Sequence, residues 1–289
     1  MRECIDAAYK KYRYKNFIGI FLGYASYYLL RKNFSLAMPY LLNIGFAKAQ
    51  LGLVLSATPI AYGISKFLMG NLSDRCNPRY FITVGLIISV LINFIFGFLN
   101  GVTTSLTIMF VLLFTNGWAQ GMGGPPCYRT VAHWFPISKR GRVMSVWNIS
   151  HNLGAGLLGA ISLIITPFFA WQSIFYIPSI MALFLTMIVV MLMRDTPQSV
   201  GLMPVEEYAN EYPENNLKNH EQELTGKEIL NKYILPNKYI WFLATANIFV
   251  YFVRYGVLDW APTYLTPIST RVKPPKSTLK IFLGSPLNF

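Results

Sequence analysis

Residues 17–42 read FIGIFLGYASYYLLRKNFSLAMPYLL, an apolar run in which Arg31 and Lys32 are the only charged residues. A helix of about 20 mostly apolar residues is long enough to cross the hydrocarbon core of a bilayer. Six further runs of this kind follow, at residues 51–72, 80–99, 104–127, 143–166, 172–193 and 239–265. The sequence therefore predicts an all-α polytopic membrane protein, with a six-helix N-terminal bundle followed by a seventh helix.

The composition supports this fold class. Hydrophobic residues make up 54% of the 289 residues and charged residues only 13%, whereas about a quarter of a soluble domain is charged. The net charge of +13 suggests anionic partners, but the basic residues are spread between apolar runs, which argues against nucleic acid. Cys4, Cys76 and Cys127 follow no disulfide or zinc spacing, so we predict neither a metal site nor a cofactor.

The distribution of lysine and arginine predicts the orientation in the membrane. Sixteen of them precede the first run or lie in alternate joints, whereas the opposite joints hold only Lys48. Because short cytoplasmic loops are rich in positive charge, the N-terminus is predicted to be cytoplasmic. A signal peptide is the alternative for the first run, but no small-residue cleavage site follows it, so we predict a retained helix. Residues 194–238 hold eight of the twelve acidic residues and are predicted to be a solvated cytoplasmic connector.

Four basic residues lie inside the apolar runs: Arg31, Lys32, Lys66 and Arg254. A charge at membrane depth usually marks a cavity or a pathway, unless a long side chain near a helix end reaches the interface. For Arg31 the second explanation fails, because a helix that ended at Leu30 would be too short to cross. Arg254 lies near the middle of its run, and Lys66 lies six residues before the end of its run at residue 72. Lys32 is better explained as a residue that reaches the interface.

The aromatic and acidic residues indicate what such a cavity would bind. Aromatic side chains accompany the basic ones at helical spacing, on the same helix faces. Between Asp6 and Asp195 the only carboxylate is Asp74, so the six helices lack the acid that a cation site or a carboxylate proton relay requires. Guanidinium, ammonium and imidazole groups suit a dianion such as phosphate, and His151 could titrate near neutral pH or simply pack in the core. The predicted substrate-binding residues are Arg31, Arg254, Lys66, His151, Tyr24, Tyr28, Tyr62, Trp147 and Tyr251.

Two further patterns predict how the protein moves. The residues YLLR at 28–31 are echoed by YFVR at 251–254, which suggests two parallel repeats that each offer one arginine to a site between them. Such a site would couple binding to alternating access. The joint GNLSDRCNPR at 70–79 has a glycine for close helix approach and an acid that can accept from arginines or a helix N-terminus. We predict a cytoplasmic gate motif there, with a plain polar turn as the alternative; its residues are Gly70, Asp74, Arg75 and Arg79.

Several motifs resemble the major facilitator superfamily and, within it, the organophosphate:phosphate antiporters. They are the joint at 70–79, YYLLRKNF at 27–34, QGMG at 120–123, PPC at 125–127, RDTPQS at 194–199 and the stretch 249–260. The resemblance implies that Arg31 and Arg254 hold a phosphoryl group, that Lys66 and His151 assist, and that the tyrosines line the pore. One departure is Gly124, where the family would carry a tryptophan.

The resemblance also predicts the domain organisation. Residues 1–193 would be the six-helix bundle, 194–238 the connector, 239–265 the first helix of an incomplete second bundle, and 266–289 a basic tail unlike the family. Since the family would continue through five more helices, we expect a truncated chain with impaired transport.

The leading hypothesis is a secondary transporter that exchanges glycerol 3-phosphate for inorganic phosphate by alternating access across a bacterial inner membrane. A transporter-like membrane receptor for a phosphorylated metabolite and a nonfunctional remnant are the alternatives. An enzyme is not expected, because the membrane region lacks the paired acid and base groups of hydrolysis or group transfer. Ser150 beside His151 does not make a catalytic triad.

Overall fold

The structure, a computed structural model, describes residues 2–99, 101–210, 228 and 230–271. Its longer elements are the helices α1 (Arg2–Leu29), α2 (Asn33–Asn43), α3 (Lys48–Arg75), α4 (Pro78–Phe98), α5 (Leu106–Gln120), α6 (Gly124–Trp134), α7 (Ile137–Trp147), α8 (Ile149–Ile165), α9 (Ser173–Leu192), α10 (Val205–Ala209) and α11 (Lys238–Arg271). Short 3₁₀ turns lie at Val102–Thr104 and Gln198–Val200, and a π-helical turn at Leu230–Ile234. The all-α class is therefore confirmed.

Five helical stretches in the described part of the chain are long and apolar enough to cross a membrane, and one of them is formed by α7 and α8 together. They are Lys48–Arg75, Pro78–Phe98, Ile137–Ile165, Ser173–Leu192 and Lys238–Leu265. They correspond to the second, third, fifth, sixth and seventh predicted runs. The seventh helix continues to Arg271, beyond the predicted end at residue 265, and the predicted tail from residue 272 onward lies outside the described residues.

The first and fourth predicted runs are each divided into two helices. The fourth run divides between α5 and α6 because Pro125 and Pro126 lie in the first turn of α6. Proline has no N–H to donate to the preceding turn, so α5 cannot continue through them. The first run divides between α1 and α2 at residues 30–32. Arg31 therefore lies in a helix break and not in the middle of a continuous helix.

Small residues bring the helices of the bundle together. A Cβ atom added to Gly117 of α5 would collide with the Thr58 carbonyl of α3, and one added to Gly154 of α8 would collide with the Ala25 carbonyl of α1. These glycines are needed because any side chain would push the backbones apart. Gly124 is different, since an added Cβ would make only an ordinary contact with Tyr128, 3.8 Å away.

Helix α11 packs against the bundle at one end only. Near its C-terminal end Trp260 reaches α3, where a Cβ added to Gly52 would lie 3.1 Å from the indole Cζ2. In contrast, every residue from 235 to 253 is exposed. The space between α11 and the bundle is therefore a wedge, closed at the end near Trp260 and open at the end that the sequence predicts to be cytoplasmic.

The connector is docked on the bundle over residues 194–210, which the sequence did not predict. The hydroxyl of Tyr9 donates to the Met203 carbonyl, and the Tyr9 and Tyr208 rings stack at 4.0 Å between centroids. Val205 is fully buried. Burial is the main reason that the pKa of Tyr9 is raised to about 12. This part of the connector belongs to the bundle, whereas residues 211–227 and 229 lie outside the described residues.

Candidate functional site

A cavity of about 370 Å³ lies between the bundle and α11. The α1–α2 break, α3 and α8 form one wall and α11 forms the other. Eight of the nine predicted binding residues line it: Tyr24, Tyr28, Arg31, Tyr62, Lys66, His151, Tyr251 and Arg254. Residues from four separated segments of the sequence thus meet in one chamber.

Arg31 is the most enclosed cation of the chamber, with 8% of its surface exposed. Its Nη1 donates to the hydroxyl of Tyr28 at 3.3 Å, and its Nη2 donates to the hydroxyl of Tyr255 at 3.0 Å. The guanidinium carbon lies 4.0 Å from the centroid of the Tyr62 ring, a cation–π distance. No carboxylate forms an ion pair with Arg31 in the described part of the chain. The guanidinium is therefore held by neutral groups and keeps its charge for an anion.

Lys66 and Arg254, the other basic residues of the chamber, lie around Arg31. Lys66 of α3 has its Nζ 5.6 Å from the centroid of the Tyr62 ring. Arg254 of α11 is half-buried and faces the same cavity as His151 of α8. Arg31 and Arg254 thus stand on opposite walls, as the YLLR and YFVR echo predicts. Tyr255, which the sequence analysis missed, stacks on Tyr251 one turn away, with ring centroids 5.7 Å apart.

One ion pair closes the end of the chamber, and the sequence analysis missed it. The Nζ of Lys32 bonds to Oδ1 of Asp259 on α11, and the Ser35 hydroxyl donates to the same oxygen at 3.4 Å. Asp259 is only 6% exposed. The expectation that Lys32 reaches the interface is therefore wrong. The carboxylate of Asp259 lies at the end of the chamber, and no Asp or Glu is among the described residues that line the cavity itself. The sequence offered one signal for this ion pair, because Asp259 is the only acidic residue in the seventh run.

Trp147 is the one predicted binding residue that does not line the cavity. It is fully buried, and its Nε1 donates to the Ile20 carbonyl at 3.3 Å. Its ring centroid lies 4.4 Å from that of Tyr24, so it supports this tyrosine from behind. Three polar cavity residues that the sequence analysis did not select are Tyr128, Asn148 and Asn152.

The predicted gate motif lies where α3 ends and α4 begins. Asn77 caps α4 by accepting from the backbone N–H of Arg79 at 3.0 Å, and Arg129 of α6 donates to the Cys76 carbonyl. Asp74 is exposed, and its carboxylate has no hydrogen bond or ion pair with any described residue. A Cβ added to Gly70 would meet open space. In this conformation the motif is thus attached to α6 through Arg129, and neither the Asp74 carboxylate nor the Gly70 position makes the contact that a gate motif would need.

These features define a class of protein: a helical membrane protein with a cationic chamber between a helix bundle and one further helix. The sequence comparisons agree, since residues 20–271 match the model of the Major Facilitator Superfamily. The chain therefore belongs to the Major Facilitator Superfamily, a family of transporters and not of enzymes. Within the described residues no group of three or more His, Cys, Asp or Glu could hold a metal ion.

The chain is 59% identical to a glycerol-3-phosphate transporter of Bacillus subtilis, over 91% of this chain and 59% of the relative. It is 46% identical to a glycerol-3-phosphate transporter of Haemophilus influenzae, over 92% of this chain and 58% of the relative. A membrane sensor protein of Escherichia coli, UhpC, is 37% identical over 91% of this chain and 59% of its own length. The chain thus spans about three-fifths of the length of each of these relatives.

A solved structure shares the fold. It is that of a bacterial homologue of the human lysosomal transporter Spinster, in an inward-facing and unoccupied conformation. The TM-score is 0.60 at 18% sequence identity, over 89% of this chain and 56% of the other.

Proposed function

We propose that the chain is the substrate-binding first part of a transporter that exchanges glycerol 3-phosphate for inorganic phosphate. It would lie in a bacterial inner membrane with its N-terminus in the cytoplasm. The observation that carries the proposal is Arg31, a buried guanidinium without a carboxylate partner among the described residues, facing a cavity that Lys66 and Arg254 also line. The glycerol-3-phosphate transporters among the relatives support this choice of substrate.

The charges of the chamber fit a dianion. The Lys32–Asp259 pair is neutral overall, so within the part of the chain that the structure describes Arg31, Lys66 and Arg254 remain as cations without an ion-pair partner. Guanidinium groups can donate to two oxygens of one phosphoryl group at once, and tyrosine hydroxyls can donate to a third. Glycerol 3-phosphate and inorganic phosphate share this phosphoryl group. The same residues would therefore hold either, which an exchange requires.

The wedge beside α11 supports alternating access. Lys32–Asp259 and the contact of Trp260 with α3 hold one end closed, and the other end of α11 is exposed. A dianion bound between Arg31 and Arg254 would draw α11 toward the bundle, because both arginines gain from contact with the same phosphoryl group. Binding of the dianion would thereby favour closure of the open end of the wedge. It would weaken the Lys32–Asp259 and Trp260 contacts at the closed end.

A second candidate is a receptor that binds a phosphorylated metabolite without transporting it. The similarity to a membrane sensor protein favours it. It would use the same chamber and would transmit binding through residues 194–210, which are docked on α1.

To distinguish the transporter from the receptor, ligand binding and transport are measured separately. Inorganic phosphate and glycerol 3-phosphate are titrated into the purified chain in nanodiscs, and uptake is measured in phosphate-loaded proteoliposomes. We expect both ligands to compete for one site that Arg31→Ala abolishes and the exposed-residue control Arg142→Ala retains. Binding that is equal in Arg31→Ala and the unaltered chain would refute the site. Binding without exchange, in proteoliposomes that also contain the remaining helices of the Bacillus relative, would favour the receptor.

A further inference from the structure

The break between α1 and α2 has no local cause in the sequence. Leu30, Arg31 and Lys32 include neither proline nor glycine, and the proline of α2 is two turns further on, at Pro39. Sharp interruptions of a helix normally arise at such residues or where another group inserts into the hydrogen-bond ladder. The cause is therefore to be found in what contacts the break.

Two buried amides hold the carbonyl of Leu30. The Nδ2 of Asn93 on α4 donates to it at 3.3 Å, and the Nδ2 of Asn116 on α5 donates to it at 3.2 Å. The two asparagines are 3% and 2% exposed. In a continuous helix this carbonyl would accept from the backbone N–H of Phe34. Two helices of the bundle thus supply donors to a carbonyl that a continuous α1–α2 helix would satisfy with its own backbone.

Stability alone does not explain the amide of Asn116. Its Oδ1 is buried and has no hydrogen-bond partner in the described part of the chain. A buried polar atom without a partner is costly, above all at membrane depth. Leucine, which has the same branched arrangement of side-chain heavy atoms, would avoid this cost. The contact with the Leu30 carbonyl is what the amide provides in return.

We propose that Asn93 and Asn116 are positioning residues that hold the α1–α2 break open and thereby aim Arg31 into the chamber. The inference rests on the proposed function, in which Arg31 binds the phosphoryl group. Arg31 follows the held carbonyl directly and reaches Tyr28, Tyr62 and Tyr255 from the break. If the helix were continuous, its turn would carry the guanidinium away from at least one of these partners, and a small misplacement of a binding group is costly.

The test combines affinity with a direct signal from Arg31. Inorganic phosphate is titrated into Asn93→Leu, Asn116→Leu and the unaltered chain, and the melting temperature of each is measured without ligand. We expect each substitution to weaken phosphate binding about tenfold, the scale on which one buried hydrogen bond acts. The Nε–H resonance of Arg31 is followed by ¹⁵N-arginine NMR and assigned by its loss in Arg31→Lys. We expect it to shift in both variants.

Asn16 provides the matched control. It is fully buried near the middle of α1, several turns before the break, where its Nδ2 donates to the Tyr12 carbonyl at 3.0 Å and its Oδ1 accepts from the Arg194 backbone N–H at 2.7 Å. Asn16→Leu should lower the melting temperature without changing phosphate affinity or the Arg31 resonance. If Asn116→Leu does not fold, the smaller change Asn116→Ser carries the same expectation.

An Arg31 resonance that stays in place in both Asn93→Leu and Asn116→Leu would overturn the positioning role, whether or not phosphate binds. An affinity that Asn16→Leu lowers equally would overturn it as well. In contrast, absence of phosphate binding by the unaltered chain, together with a shifted resonance, would refute the proposed function and leave the positioning of Arg31 supported.

Discussion

Removing the carboxylate of Asp259 should release α11 from the bundle. In Asp259→Leu the ammonium group of Lys32 keeps its place between the α1–α2 break and α11 but loses the oxygen that it bonds. Only 20% of the Lys32 side chain is exposed, so water cannot fully replace this partner. The substitution therefore penalises the conformation in which α11 is in contact with α2 and α3.

The size of the effect follows from the burial of the pair. Breaking a buried ion pair by removing one partner typically costs about 3–5 kcal/mol. Because Lys32 retains some access to water, we take about 3 kcal/mol, which corresponds to a change of roughly a hundredfold in the ratio of open to closed α11. Removing both charges, in Lys32→Met with Asp259→Leu, should restore most of the closed population, since no buried charge is left unpaired.

The rate of thiol labelling at Gly52→Cys reports the ratio of open to closed α11, because Trp260 covers position 52 when α11 is in contact with α3. Cys4 and Cys76, which are not buried, are replaced by serine beforehand. The labelling rate should rise by up to the same hundredfold in Asp259→Leu and return toward the starting rate in the double variant. An equal rate in all three proteins would refute the argument that this pair holds the two walls together.

Three further predictions concern the opposite wall, the connector and pH. Arg254→Lys should weaken phosphate binding about tenfold in a titration, because an ammonium group cannot replace the two parallel donors of guanidinium. Val205→Asp should release residues 194–210, at a cost of about 2–3 kcal/mol for burying a charge or undocking the segment, and limited proteolysis should then cut there faster. Burial, together with the positive charge of Arg129, lowers the pKa of His133 below its usual 6.5. Stability should therefore fall as the pH drops below about 6.5, and His133→Gln should flatten this part of a thermal-melting pH profile.

Each of these three predictions would be contradicted by one specific result. Equal affinity of Arg254→Lys and the unaltered chain would remove the bidentate role of Arg254. Unchanged cleavage in Val205→Asp would mean that the connector is not held by this side chain. The sign for His133 is fixed, because a histidine whose folded-state pKa is lowered takes up its proton more readily in the unfolded state. Stability that rises on acidification through the same range, with no change in His133→Gln, would contradict it.

The sequence was sufficient for the features that depend on local pattern. The length of the apolar runs predicts the spans, and helical spacing predicts that Tyr28 shares a face with Arg31. The echo of YLLR in YFVR predicts two arginines on facing walls. Pro125 and Pro126 marked the end of α5, although the run was read as continuous.

Other features depend on contacts between distant residues, which no local pattern shows. The α1–α2 break is held by Asn93 and Asn116, 63 and 86 residues away from Leu30. Residues 194–210 read as a solvated linker because their buried partner Tyr9 is far away in the sequence, 194 residues before Met203. The pairing of Asp259 with Lys32 is of the same kind, because it joins residues of two apolar runs that lie 227 residues apart in the sequence.

The positive charge of the chamber also acts on ions that it does not bind. Arg31, Lys66 and Arg254 raise the electrostatic potential along the route that their cavity outlines between the bundle and α11. A raised potential repels sodium and hydronium ions, in the way that an arginine in a narrow pore excludes protons. A protein that opens this route first to one side and then to the other would thus keep the electrochemical gradient of the membrane intact. The feature that attracts the anion would at the same time insulate the membrane against leakage of cations.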